Sequence, residues 1–146
     1  MMHTRTIVVL LFIVSLVGIT GLGTGIDAVS ITVSLPFGGL PPLFGITVRS
    51  EISFGYGVAS LLISPSGQTV IRGGVELPLG SGGSYIDLLG GIAYFDLSAR
   101  FPSPMLGGGL SYRAPQHGFQ FGIAGAFIYP IALGPPHVAL EGGWAR

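Results

Sequence analysis

The chain contains no cysteine and no lysine, and only 8% of its 146 residues are charged, against about 25% in an ordinary soluble domain. Without cysteine there are no disulfides, thiolate metal sites or thiol nucleophiles. Without lysine there is no Schiff base, no pyridoxal-phosphate anchor and no phosphate-loop lysine. Six arginines balance six acidic residues, and no segment carries one sign of charge, so a nucleic-acid partner is not expected. Amphipathic helices are missing too. From residue 26 onward no window shows apolar residues at i, i+3, i+4 and i+7, and glycine or proline interrupts nearly every ten residues.

What is present is hydrophobicity. Apolar residues make up 49% of the chain, and 26 glycines and 11 prolines punctuate it. Disorder would require the reverse balance of low hydrophobicity and high net charge. The start is a separate feature: His3 and Arg5 precede the apolar run from Ile7 to Val17, which decays into Gly18, Gly21, Gly23 and Gly25. Eleven residues, apolar but for Ser15, are fewer than the roughly 20 of a spanning helix. A charged start, a short apolar core and small residues together predict an export signal over residues 1–25, removed near Gly25. An uncleaved N-terminal anchor is the alternative, because extension through Leu22 gives about 16 largely apolar residues.

Residues 26–146 alternate. Val29, Ile31, Val33 and Leu35 oppose Ser30, Thr32 and Ser34, which is the period of a strand. Phe44 to Ile63 continues the alternation too far for one strand, so it must fold back; a three-residue loop Ser53-Phe54-Gly55 would keep even positions on one face throughout. Further strands follow at about 70–77, 85–98, 106–113, 119–129 and 137–145, with turn sequences between them. This predicts eight strands.

The two faces differ in an unusual sense. One carries the large apolar side chains, among them Ile71, Val75, Phe121, Ile123, Phe127 and Trp144; the other carries Gly, Ala and Ser with Arg49, Glu51, Arg72, Glu76, Arg113 and Glu141. A soluble sandwich would put Lys, Glu and Thr on its outer face. Large apolar residues toward lipid, and small residues with a few charges toward a narrow lumen, suit a transmembrane barrel. In hydrocarbon every backbone group must be paired, so the sheet has to close on itself. The expectation is an all-β, closed antiparallel up-and-down barrel of eight strands, 1–25 forming the signal helix and 26–146 the barrel. Three cations and three anions on the inner face predict a salt-bridged plug rather than an open pore.

Segments such as Phe54-Gly-Tyr-Gly-Val58 and Phe119-Gln-Phe-Gly-Ile123, with the last strand Val138-Ala-Leu-Glu-Gly-Gly-Trp144, make residues 26–146 resemble the small outer-membrane β-barrels of bacteria, the OmpA-like and OmpX-like eight-stranded class. The resemblance implies an outer-membrane location, the lipid bilayer and the export and barrel-assembly machineries as partners, and a structural or interfacial role in the envelope. No cofactor is expected. No metal site is either, since His137 and Glu141 stand about 13 Å apart along a strand. Two other functions remain open: a secreted soluble barrel binding an apolar ligand, and a lipid-modifying enzyme built on His137, Ser111 and Glu141. The favoured reading is not an enzyme.

Overall fold

The computed structural model describes residues 6, 9, 10, 12–14, 25–36, 41–94, 103–113, 118–128 and 137–145. Its fold is all-β and antiparallel. Eight strands follow one another: β1 (Ala28–Pro36), β2 (Leu43–Ile52), β3 (Gly55–Ile63), β4 (Thr69–Pro78), β5 (Ser84–Tyr94), β6 (Ser103–Arg113), β7 (Gly118–Ile128) and β8 (His137–Ala145). Each pairs with the next, and the sheet curls until β8 lies along β1 from Ala28↔Ala145 to Pro36↔His137. The strands fall where the alternation puts them. β5 is described as far as Tyr94, and Asp96, where the alternation falters, lies outside the described residues.

The registers also fix how the strands lean. A path through paired residues from Pro36 runs by His137, Ala126, Gly109, Asp87, Glu76, Tyr56 and Glu51, and arrives back on β1 about ten residues below its start. For eight strands at ordinary spacings this stagger corresponds to a tilt of about 40°. Strands of nine to eleven residues at that tilt stand roughly 25 Å tall.

One turn differs from the sequence expectation and changes which residues meet. Ile52 pairs with Gly55, so β2 and β3 are joined by the two-residue turn Ser53-Phe54 and not by a three-residue loop. Gly55 belongs to the ladder because it has a φ of 155° and lies so close to the Glu76 carbonyl that no Cβ would fit. A two-residue turn exchanges odd and even faces. Tyr56, Val58, Ser60 and Leu62 therefore share the inner face with Thr47 and Arg49, whereas the sequence reading put Tyr56 and Val58 outside.

Strong curling also brings neighbouring backbones together on the inner side. A Cβ at Gly91 would collide with the Ile71 carbonyl, a contact that only glycine avoids. Gly91→Ala is expected to destabilise the fold by about 1–3 kcal/mol through overpacking, read as a lowered midpoint in denaturant unfolding. Gly82→Ala, at a turn position with nothing near the added carbon, should leave the midpoint close to wild type.

Candidate functional site: a buried ion network

The sheet encloses its polar residues in layers. Nearest the end that carries residues 41, 42 and 64–68, Leu43, Leu62 and Val70 form an apolar cluster. Below it a row of buried hydroxyls crosses three strands, Thr32 Oγ1 to Thr47 Oγ1 at 2.7 Å and Thr47 Oγ1 to Ser60 Oγ at 2.9 Å. Hydroxyls suit this position because each both donates and accepts, so a buried row can satisfy itself.

The charged layer comes next. Arg49 on β2 is 2% exposed and reaches across the interior to two strands. Its Nε donates to both carboxylate oxygens of Glu76 at 3.1 Å, and its Nη2 donates to Glu76 Oε1 at 3.0 Å and to Glu141 Oε2 at 2.5 Å. Arg113 Nη1 donates to the other oxygen of Glu76. Glu76 thus sits between two guanidiniums. Such forked, charge-assisted bonds are the strong ones, and they are what lets a buried carboxylate keep its charge.

Asp87 lies directly opposite Glu76 in the β4–β5 ladder and accepts a 2.9 Å hydrogen bond from the Ser111 hydroxyl. Two carboxylates side by side would repel, so the arginines that converge here offset a real cost. Arg72 is buried in the same layer and, with Arg49, Glu76, Asp87 and Glu141, borders a void of about 10 Å³. That void is the size of one water. Toward the end where residues 27 and 145 lie, the Arg113 guanidinium covers the Tyr85 ring at 4.0 Å and the Tyr56 ring at 5.2 Å, and the two rings meet edge-on. Beyond them a polar mouth of about 160 Å³ opens between Asp27, Glu51 and the tyrosines.

Five of the six charged residues expected inside are therefore brought together: Arg49, Arg72, Glu76, Arg113 and Glu141. Their pairing is different from the one that strand proximity suggests. Arg49 pairs with Glu76 and Glu141 and not with Glu51 of its own strand, and Arg113 pairs with Glu76 of β4 and not with Glu141 of β8. The sixth, Glu51, is exposed at the mouth, where its backbone N–H donates to Asp27 Oδ2 at 2.5 Å. Its place among the three anions is taken by Asp87. Alternation against Ile86 and Leu88 carried the signal for Asp87, whereas nothing in the sequence marks Tyr56 and Tyr85 as stacking partners of Arg113.

The outer face is apolar and open. Val29, Ile31, Leu35, Phe44, Ile46, Leu88, Leu106, Leu110, Leu140 and Trp144 are exposed, Ile31 and Trp144 by 69% and 68%. Of the residues expected to face lipid, Trp144 is exposed and Val75 half-buried; Ile71 is buried at 3% against Phe12, Leu61 and Ile92. The side chains of Phe121, Ile123 and Phe127 lie outside the described residues. In the alternative enzyme triplet, the Ser111 hydroxyl is bonded to Asp87 and the Glu141 carboxylate to Arg49, and the His137 side chain lies outside the described residues. His117 lies outside them as well.

Compared with family models, with curated proteins and with solved structures, the chain matches none.

Proposed function

We propose that this chain is a small integral outer-membrane barrel of eight strands, closed by the β1–β8 pairing, exported through its N-terminal segment, and serving a structural or interfacial role in the envelope with its lumen plugged. The observation that carries this reading is the inverted polarity of the sheet. Exposed Ile, Leu, Val and Trp cover the outside while Arg49, Arg113, Glu76, Asp87 and Glu141 are buried within. In water that arrangement wastes both the apolar surface and the charges; in lipid it places each where it costs least. A strand height of roughly 25 Å suits the apolar band of such barrels. Partners are then the bilayer and the export and barrel-assembly machineries, and no catalytic chemistry is assigned. A soluble barrel with an apolar ligand is disfavoured because the enclosed side is the charged one.

The test is electrophoretic and electrical. The purified chain is expected to require detergent, to migrate differently before and after boiling, and to give no porin-sized conductance in planar bilayers, because the Leu43–Leu62–Val70 cluster and the ion network both obstruct the interior. Monodisperse behaviour in plain buffer would overturn the membrane reading. Steady large conductance would overturn the plug.

A further inference from the structure

One stretch of the outer wall does not behave like the rest. On β2, β3 and β4 the outward positions Val48, Ser50, Ala59 and Ile71 are between 0% and 4% exposed, although Phe44, Ile46 and Ile63 toward one end of β2 and β3 are 40–47% exposed, as outward residues on β1, β5, β6 and β8 are open. Ile71 is buried against Phe12 of the N-terminal apolar run, with Leu61 and Ile92 alongside. The Ser50 hydroxyl, fully buried on this outward face, makes no hydrogen bond. Residues 9, 10 and 12–14 are helical, and Val9, Leu10, Ile13 and Val14 are exposed around Phe12.

We infer that the N-terminal segment outlives export and remains docked as a short helix on the outer wall of β2–β4, a permanent part of the folded protein. This rests on the membrane-barrel reading. A helix with Phe12 on the wall and Val9, Leu10, Ile13 and Val14 turned away is apolar on every side, which suits a position between protein and lipid and is costly in water. The run from Ile7 to Val17 is about 16 Å long as a helix, half a bilayer core, so it does not span by itself. No described helix is long and apolar enough to cross a membrane. A wall supplies what such a short helix lacks. Ser50, Gly57, Ala59 and Gly73 leave the outer surface of β2–β4 low, and small residues let a helix approach closely where lipid gives no hydrophobic drive for association. The sequence alone favours removal near Gly25; the burial of this wall and the Phe12–Ile71 contact favour retention.

Because the described residues include no cysteine and the sequence has none, the contact can be tested in the full chain by paired cysteines. Phe12→Cys is combined with Ile71→Cys, and separately with Ile92→Cys in case the first pair perturbs folding. The outer-membrane fraction is treated with a short bis-maleimide, and the intact mass of the same protein is measured. Retention predicts a mass that includes residues 7–25 and an intramolecular cross-link in at least one pair, with none in a Phe12→Cys/Trp144→Cys control on the opposite wall. A heat-modifiable membrane barrel whose mass begins near Ile26 would overturn the inference and leave the membrane reading standing. So would an intact N-terminus without a cross-link in either pair. Absence of any heat-modifiable membrane form would overturn both.

Discussion

Arg49→Ala is expected to lower the unfolding free energy by about 3–5 kcal/mol, measured by equilibrium urea unfolding in detergent micelles or liposomes. Arg49 holds Glu76 through two nitrogens and Glu141 through one, and all three side chains are almost completely buried. Its removal breaks the ion pair with Glu141 and takes from Glu76 one of its two guanidinium donors. Buried charges deprived of a partner lose far more than the net worth of the pair, since their desolvation is no longer offset. Glu141→Gln should cost clearly less, because Arg49 keeps its bonds to Glu76. Combining Arg49→Met with Glu141→Gln should recover part of the loss, because the carboxylate stranded by the loss of Arg49 is then neutral and Glu76 keeps Arg113. An Arg49→Ala effect under about 1 kcal/mol would mean that the network is solvated and contributes nothing as a plug.

Ile31→Arg is the second large expected effect. Ile31 lies midway along β1, on the outer face, and is 69% exposed, so it packs in no protein core. In water an arginine there would be neutral or would improve solubility. At the middle of a bilayer it should cost about 2–4 kcal/mol, and Leu79→Arg, in the turn after β4, only about 0–1. Refolding both variants into lipid vesicles and comparing their urea midpoints separates the two environments. Equal midpoints would remove lipid from the outer face.

Much of this architecture is written in the chain as alternation. β2 is legible because Phe44 and Ile46 oppose Thr47 and Arg49, and β4 because Ile71 and Val75 oppose Arg72 and Glu76; in each, size and charge separate cleanly between the faces. β3 was harder because Tyr56, Val58 and Leu62 on one face and Ala59, Leu61 and Ile63 on the other are all apolar, so the pattern cannot say which face is inside. The decision fell to the turn, and Gly55 suits a loop as well as a strand. It is the Glu76 carbonyl, supplied from another strand, that assigns it to the ladder. The partners of Arg49 were hidden for a similar reason. Alternation gives a residue's face and says nothing of its depth along a tilted strand. Arg49 and Glu141 are 92 positions apart and meet only through the stagger of the registers. Burial of Ile71 was equally out of reach of periodicity, which reports that a residue points outward but not that another segment lies over it.

The two ends of the interior are sealed unequally. An apolar cluster of Leu43, Leu62 and Val70 lines one, while the other leads past Tyr56 and Tyr85 to a polar mouth beside Asp27 and Glu51. Between two aqueous compartments, as the membrane-barrel reading has it, the ion network would be more open to the one beside Asp27 and Glu51. Salt at the mouth has a polar route toward Arg113 and Glu76, and at the other end it meets the side chains of Leu43, Leu62 and Val70. On the membrane-barrel reading, orientation in the bilayer would decide which solution its charges answer to.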